Sequence, residues 1–360
     1  MLWILGDMHF NAEKDWRLAV SNKIVEYLET EVAPKVKPND CCMVLGDVAD
    51  KMLNPGSVNA IINKLYLGFL SLFKKVYIIP GNHEKQEYQN GKVEFCLEFL
   101  RPNKNIVFLD EPFQVVNIEG KTCIIYPHVV NKGVPERWYA AEFEKRKDEI
   151  IKSVNGEADY AFGHIAIQTA HMHKRATQLL RECIPAKRCI FGHIHDRIDP
   201  EYPGSLWATK TDEVGPRSIL LVDMESGEES EIPLPNFVEY RTITYPEAVT
   251  ETNRNPNSVY VFEVIGSISE DEARDKYSPE FVSKVVSPLY LAKKESNQDL
   301  NFDFSKADDF KVSNYEEAYD EMLKETNKKV PEKVDNLIRS ILKPKKATRR
   351  LITPQAEVAE

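Results

Sequence analysis

The stretch CIFGHIH, residues 189–195, joins a short apolar run to a glycine and then to two histidines. The same order of apolar run, glycine and polar side chain occurs in four other places: ILGDMH at 4–9, VLGDVAD at 44–50, IPGNHE at 79–84 and AFGHIA at 161–166. Apolar runs of this length predict buried strands. The carboxyl ends of parallel strands meet at one edge of a sheet, and glycine lets the backbone turn there. The five repeats therefore predict a single site.

The side chains that follow these glycines carry carboxylate, carboxamide and imidazole groups. Asp7 and His9, like His193 and His195, are two residues apart, which puts both side chains of a pair on the same side of an extended chain. These ligand types suit manganese, iron or zinc rather than a structural cysteine-zinc site. One carboxylate shared by two ions would hold them ~3.5–4 Å apart, the arrangement that serves phosphoester hydrolysis.

Strand and helix patterns alternate along the first two thirds of the chain, which predicts an α/β fold. Strands are predicted at 2–5, 41–45, 76–79, 123–126, 160–162 and 189–191, and helices at 15–32, 58–73, 93–100 and 135–153. A last pair of strands, at 219–222 and 231–233, is separated by the turn sequence ESGEE. We therefore predict one two-metal phosphoesterase domain over residues 1–233.

The composition changes beyond residue 233. Residues 234–295 contain strand patterns at 240–244 and 259–264 and a helix pattern at 270–276, and they predict a small α/β appendage. Residues 296–325 are polar and acidic, as in a linker. An amphipathic helix is predicted within 326–343, and its apolar face consists of Val334, Leu337, Ile338 and Ile341. Residues 344–360 are predicted to form a disordered tail that begins with a basic cluster.

The overall composition indicates the class of protein. Of the 360 residues, 42% are hydrophobic and 29% are charged, as in soluble globular domains. No apolar stretch approaches the ~20 residues that span a bilayer, and the amino terminus lacks a charged leader, so we expect a cytoplasmic protein without a membrane partner. The six cysteines form no CxxC pair, which is typical of reduced thiols. The formal net charge of −10 disfavours nucleic-acid binding on average, although a metal centre reverses the local field.

The series DxH, GDxxD, GNHE, GH and GHxH, in this order, resembles the calcineurin-like metallophosphoesterases over roughly residues 1–225. The resemblance implies a β-sandwich flanked by helices, with two divalent metal ions. The ligands of the first ion would be Asp7, His9, Asp47 and His195. Those of the second would be Asp47, Asn82, His164 and His193, so that Asp47 bridges the ions. His83 would be the catalytic residue that acts on the phosphate or the leaving group, positioned by Glu84.

Three further features indicate which branch of this family the chain resembles. The arginines that hold phosphate in the family's protein Ser/Thr phosphatases are absent from GDVADKM and IPGNHE. The segment EYPGSLW, residues 201–207, resembles one in the bacterial SbcD and eukaryotic meiotic-recombination-eleven nucleases, and EIPLPNFVEYRTITY, residues 231–245, is similar to the start of their DNA-capping domain. The terminal helix is similar to the segment with which these nucleases bind the coiled coil of an SMC-like ATPase.

This likeness implies a manganese-dependent DNA exonuclease and endonuclease that acts in DNA repair, recombination and replication. Its partners would be DNA and an SbcC-type ATPase, with the nuclease as a homodimer within a heterotetramer, in a bacterial or phage-infected cell. These nucleases usually have GNHD where this chain has GNHE, so the residue that positions His83 is open.

The sequence leaves two interpretations open for several residues. Asp50 either caps the next segment or contacts substrate or water near the metals, and His128 either lines the rim of the site or is structural. His171 and His173 either contact substrate or lie in a solvated turn. The apolar face of the terminal helix binds a partner or packs on the protein's own body. Two other functions also fit the motifs, namely a nucleotide or small-molecule phosphodiesterase and a scaffold without catalysis.

Overall fold

The computed structural model describes residues 1–50, 55–87, 93–129, 135–169, 179–197, 199–213, 215–246, 255–278 and 280–286. The chain divides into two compact units. The first comprises Met1–Tyr240 and Glu251–Val261, and the second comprises Arg241–Thr250 and Phe262–Glu360. The predicted linker, partner-binding helix and tail lie outside the described residues, as do His171 and His173.

The elements of the described residues alternate as the sequence predicts, and the mixed α/β class is confirmed. Strands β1 to β15 span, in chain order, Leu2–Leu5, Cys41–Val44, Lys75–Ile78, Lys85–Glu87, Val93–Phe95, Ile106–Phe108, Val115–Ile118, Lys121–Tyr126, Ala158–His164, Ala186–Gly192, Arg217–Val222, Glu229–Leu234, Val238–Thr244, Val259–Ile265 and Phe281–Val286. Helices α1 to α4 span Asp15–Tyr27, Pro55–Gly68, Pro135–Ser153 and Glu270–Tyr277.

Two sheets of the first unit face each other as a sandwich. The first has the strand order β12-β11-β1-β2-β3-β6, and β1, β2, β3 and β6 run parallel. The second has the order β10-β9-β8-β7, and β8, β9 and β10 run parallel. Their inner faces bury one apolar cluster, whose members include Ile4, Met43, Ile125, Phe162 and Ile190. Burial of this shared surface stabilises the sandwich.

Helices cover the outer faces of the sandwich. Trp3 points away from the shared cluster and packs edge-to-face against Phe69 and Phe73, which follow α2. Helix α1 packs beside α2. Helix α3 packs Tyr139 and Phe143 in the apolar cluster on the outer face of the second sheet. The first unit is thus a β-sandwich flanked by helices.

The predicted helix at 93–100 is wrong. Val93–Phe95 forms β5, which pairs antiparallel with β4, and Glu98–Leu100 forms only a short helical turn. The N–H of Cys96 donates to the carbonyl of Glu84 at 3.0 Å, which continues the pairing. Hydrogen bonds to another segment have overridden a short and ambiguous apolar pattern. Strands β6 and β7, which lie at sheet edges, are also absent from the sequence prediction.

The second unit has a small core of its own. Strand β15 joins β13 and β14 in a three-stranded sheet, in the order β13-β14-β15. Helix α4 begins with a capping box, in which Ser269 and Glu272 satisfy each other's backbone N–H groups. The core side chains are Phe262, Val264, Ala273, Tyr277 and Val282. None of the helices in the described parts of either unit is both long enough and apolar enough to cross a membrane.

Candidate metal centre

Five strands of the sandwich end at one place. Strands β1, β2 and β3 of the first sheet, and β9 and β10 of the second, each end in one of the glycine motifs. Because these strands run parallel within each sheet, their carboxyl ends share an edge. The side chains that meet there are Asp7, His9, Asp47, Asn82, His83, His164, His193 and His195. All eight residues that the motifs single out are therefore neighbours.

The loops after β1 and β2 stay paired beyond the strands. The N–H of His9 donates to the carbonyl of Asp47 at 2.8 Å, and the N–H of Asp50 donates to the carbonyl of Phe10 at 3.0 Å. These hydrogen bonds hold the side chains of the first and second motifs next to each other.

The motif glycines mostly serve close packing, which corrects the expectation that each lets the backbone turn. Among the five, only Gly46 has a left-handed backbone, with φ of 90°. At Gly81, a Cβ atom would lie 2.1 Å from Oδ1 of Asp47, so a side chain there would displace the carboxylate. The left-handed residues are instead ligand candidates, with φ of 35° at Asp7, 50° at Asp47 and 86° at His193. Such backbone strain is costly and is commonly found at functional sites.

The first group of ligand atoms comes from Asp7, His9 and His195. Nε2 of His9 lies 2.8 Å from Nε2 of His195. Nδ1 of His195 faces the carboxylate of Glu213 at 2.8 Å, and because an ionised carboxylate only accepts hydrogen bonds, Nδ1 carries the proton. Nε2 of His195 therefore presents a lone pair to His9. That lone pair can accept a hydrogen bond from Nε2 of His9 or bind a metal ion.

The second group comes from Asp47, Asn82, His164 and His193. Nδ1 of His164 lies 2.7 Å from the carbonyl oxygen of Leu45 and donates its proton there, so Nε2 is the nitrogen that can bind a metal ion or, without one, carry a second proton. Nε2 of His164 faces Oδ1 of Asn82 at 3.0 Å and Oδ2 of Asp47 at 3.2 Å. Oδ1 of Asn82 also lies 3.0 Å from Nδ1 of His193. These nitrogen and oxygen atoms are close enough together to bind one metal ion.

Asp47 is common to both halves of the centre. Its Oδ2 lies 3.2 Å from Nε2 of His164, 3.6 Å from Nε2 of His9 and 3.9 Å from Nε2 of His83. Its Oδ1 accepts a hydrogen bond from the N–H of His83 at 3.0 Å. Asp47 can therefore contact an ion in each of the two ligand groups.

The charges of these groups depend on one another. Burial would raise the pKa of Asp47, but His164 and His9 hold it well below its ordinary range. Burial would lower the pKa of His164, but Asp47 raises it well above the ordinary histidine value. Burial and the charge of His164 lower the pKa of His193 to about 3. A positive charge is therefore favoured beside Asp47, and a metal ion would compete with a proton for the same lone pair.

His83 lies at the edge of the centre. Its side chain is 29% exposed, whereas that of His9 is 5% exposed. Nδ1 of His83 lies 3.2 Å from Oδ1 of Asp50 and also donates to the backbone carbonyl of Asp50. Burial would lower the pKa of His83, but the hydrogen bond to Asp50 raises it to about 9. Since Nδ1 is engaged by Asp50, Nε2 is the nitrogen that can donate a proton or a hydrogen bond to a bound molecule.

Glu84 does not position His83, contrary to the expectation from the GNHE motif. It is fully buried, and its Oε2 accepts from the N–H groups of Asp47 and Gly81, each at 2.8 Å. Its Oε1 accepts from the N–H of Ala49 at 3.1 Å. The longer glutamate side chain thus joins the second and third motif loops, and Asp50 takes the role at His83.

The carboxylate of Asp50 links several groups of the centre. Its carboxylate accepts from Nδ2 of Asn11 at 2.8 Å and from Arg17, and it lies 3.7 Å from Nδ1 of His9. Together with the contact to His83, this places Asp50 behind two histidines of the centre.

His128 follows β8, the neighbour of β9. Its N–H donates to the carbonyl of Pro80 at 3.0 Å, and its charge lowers the pKa of His193. This places it near the rim of the centre.

The sequence prediction did not include three residues that contact the site. Glu213 and Thr209 contact Nδ1 of His195, and Arg217 donates to the carbonyl oxygen of His195. Their segment follows EYPGSLW, which is buried beneath the first and fifth motifs: Nε1 of Trp207 donates to the carbonyl of Met8 at 2.6 Å. Because metal-bound histidines usually donate their second N–H to a carboxylate, an acidic residue after GHIH was a signal to look for.

The centre fits divalent metal ions. The atoms that face its interior are carboxylate oxygens, a carboxamide oxygen and imidazole lone pairs, all of which can bind a cation. Thiolates are absent from this set, and the mixture of nitrogen and oxygen suits manganese, iron or zinc. The residues that would hold the ions are Asp7, His9, Asp47, Asn82, His164, His193 and His195.

Comparison with known proteins agrees with this geometry. The family model of calcineurin-like phosphoesterases matches residues 1–197. No curated protein matches the chain. Among solved structures, a protein of unknown function, AQ665 from Aquifex aeolicus, is 18% identical with a TM-score of 0.28, covering 48% of this chain and 81% of that one. Phosphopantetheinyl hydrolase PptH from Mycobacterium tuberculosis is 15% identical with a TM-score of 0.29, covering 64% and 87%.

At these TM-scores neither structure bears on the substrate of this chain. The family match covers more than half of the chain and includes every motif of the centre. This chain therefore belongs to the calcineurin-like phosphoesterases, a family of metal-dependent phosphoester hydrolases.

Proposed function

We propose that this chain is a manganese-dependent DNA exonuclease and endonuclease, the nuclease subunit of an SbcCD-type complex. The observation that carries phosphoester hydrolysis is that Oδ2 of Asp47 lies 3.2 Å from His164 in one ligand group and 3.6 Å from His9 in the other, with His83 at the edge. The DNA assignment adds the resemblance of the EYPGSLW segment and of residues 231–245 to SbcD-type nucleases.

The centre supplies the parts that hydrolysis of a phosphodiester needs. When bound, two divalent ions would polarise the phosphate and lower the pKa of the attacking water. Asp47 would bind both ions. His83, fixed through Nδ1 by Asp50, would direct Nε2 at a phosphate oxygen or at the leaving oxygen, where a hydrogen bond or proton stabilises the developing charge.

The motif sequences favour a diester substrate of this kind over a phosphoprotein. The motif segments lack the phosphate-holding arginines of the protein phosphatases. The formal net charge of −10 means that DNA must be bound locally, through the ions and through basic groups near them. We also propose that the complex acts in the cytoplasm of a bacterial or phage-infected cell, that the chain is a homodimer, and that residues 326–343 bind the ATPase.

The test of the nuclease is cleavage by the full chain with Mn²⁺. Linear and hairpin DNA would be offered alongside cyclic nucleotides and a chromogenic phosphodiester. We expect cleavage of DNA and of the chromogenic ester, with no activity in an Asp47→Asn variant because both ion sites are damaged. Cleavage of cyclic nucleotides without cleavage of either DNA would favour the small-molecule phosphodiesterase and contradict the nuclease. Intact binding of Mn²⁺ without hydrolysis of any of these substrates would favour the scaffold.

The test of the partner is capture of a large coiled-coil ATPase by the full chain. We expect capture to be lost when Leu337 and Ile341 are both replaced by Glu, since charge on the apolar face opposes burial. Unchanged capture by this double variant would remove the docking role of residues 326–343 and leave the nuclease assignment standing.

A further inference from the structure

We propose that Glu213 is a positioning residue for His195, and that its carboxylate, held in place by Arg217, sets the affinity of the ion site formed by Asp7, His9 and His195. The inference rests on the metal-dependent hydrolysis proposed above, but it concerns ion binding and is independent of the substrate.

Both oxygens of Glu213 are engaged. Oε1 lies 2.8 Å from Nδ1 of His195, and Oε2 accepts from the N–H of Thr209 at 2.7 Å. The side chain of Glu213 is 6% exposed, so water competes little for these contacts.

Arg217 connects Glu213 to the backbone of His195. Its guanidinium is 3% exposed and lies 3.7 Å from Oε2 of Glu213. It donates to the carbonyl of Glu213 at 3.2 Å, to Oγ of Ser205 at 3.1 Å and to the carbonyl of His195. One buried cation thus balances the carboxylate and ties it to the loop that carries His195.

Arg217 is itself fixed by the sheet. It is the first residue of β11, and β11 pairs antiparallel with β1, so it lies toward the end of β1 from which Asp7 and His9 follow. The N–H of Ser205 adds a hydrogen bond of 3.0 Å to the carbonyl of His195. The carboxylate that orients His195 is therefore anchored on the strand beside the other two ligands.

The expected effect follows from the chemistry of imidazole. A carboxylate that accepts the Nδ1 proton holds the lone pair on Nε2 and increases its donation to a metal ion. Removal of such a partner typically weakens metal binding about 10- to 100-fold. If Glu213 instead served only to hold Thr209, its loss would lower stability and leave ion affinity unchanged.

The experiment is calorimetric titration of Mn²⁺ into the chelator-treated full chain without substrate. We expect two ions for the wild type. In Glu213→Ala one of the two affinities should fall about 10- to 100-fold while the other is unchanged. In Glu213→Gln the amide oxygen still accepts the hydrogen bond from Nδ1 but carries no charge, so the same affinity should fall less. The absorption spectrum of bound Co²⁺ should change in both variants, since the ligand field at His195 changes.

Asp40→Asn is the matched control. Asp40 is buried and accepts from Nε1 of Trp3 at 2.9 Å, at the amino end of the strands. This variant should lose thermal stability with both ion affinities intact. Wild-type affinities and cobalt spectra in both Glu213 variants would overturn the proposal, and Glu213→Gln serves alone if the alanine variant does not fold. A wild type that binds two ions and cleaves no DNA would overturn the nuclease and leave the role of Glu213 in place.

Discussion

Oδ1 of Asp50 lies 3.2 Å from Nδ1 of His83, which makes Asp50 the group that orients the exposed histidine of the centre. The remaining ring nitrogen, Nε2, lies 3.9 Å from Oδ2 of Asp47. The ring nitrogens of His83 also lie close enough to His9 and Asp47 to join a metal site, so metal content distinguishes a catalytic histidine from a ligand.

Replacement of His83 by Ala should leave both ions bound and reduce turnover. A positioned proton donor typically contributes about 10²- to 10⁴-fold, and the loss should fall in that range. Metal content by elemental analysis and hydrolysis of a chromogenic phosphodiester are the two measurements. If His83→Ala loses an ion, His83 is a ligand and its assignment as the catalytic residue is wrong.

Replacement of Asp50 by Asn should lower the pKa of His83. The carboxylate stabilises the imidazolium form, so its removal should shift the pKa from about 9 toward the ordinary histidine value of 6.5. The measurement is NMR titration of the histidines in chelator-treated protein. The control is Asp159→Asn, because Asp159 pairs with Lys187 at the surface. An unchanged titration of His83 in Asp50→Asn would show that another group holds its proton.

Replacement of Gly81 by Ala should destroy both ion sites, because the new Cβ would lie 2.1 Å from Oδ1 and 2.4 Å from the backbone N of Asp47. Gly56→Ala is the matched control, since a Cβ at Gly56 meets no atom within 4 Å and lies in α2. It should leave ion binding unchanged, since Gly56 lies in the first turn of α2 and the new Cβ displaces no atom. Titration of Mn²⁺ distinguishes the two variants. Two tightly bound ions in Gly81→Ala would contradict this account of the glycine.

Replacement of Glu84 by Gln should destabilise the first unit. Glu84 accepts three backbone N–H groups, and the amide of Gln would present a donor to at least one of them. A buried donor left without an acceptor costs about 1–3 kcal/mol. Urea unfolding measures the loss, and Glu98→Gln, at an exposed ion pair with Arg101, should change little. A wild-type urea midpoint for Glu84→Gln would refute this role.

Addition of Mn²⁺ should raise the melting temperature of chelator-treated protein. Ions that bind only the folded chain stabilise it by about 2.7 kcal/mol per site at a hundredfold excess over Kd. Asp47→Asn should lose most of this gain, because Asp47 contacts both ligand groups. The thermal shift is measured with and without the ion in each variant. An equal shift in Asp47→Asn would mean that Asp47 does not bridge the ions.

The local sequence predicted the elements that depend on local patterning. The runs before Gly6, Gly46 and Gly192 are apolar because their strands are buried on both faces. Such a run can be recognised from the sequence alone. The polar residues at the strand ends could be predicted as well, because each one follows directly on such an apolar run. The prediction failed at Val93–Phe95, where pairing with β4 outweighed the local helical pattern.

What the sequence by itself determined is the set of side chains at the strand ends, since parallel strands must present their carboxyl ends at a common edge. Only the tertiary structure decided how these side chains are held. Glu84 joins two loops, Asp50 orients His83, and Glu213 orients His195, each through hydrogen bonds between segments that are separate in the sequence. These contacts join loops from different parts of the chain, so the local pattern around each motif does not identify the partner.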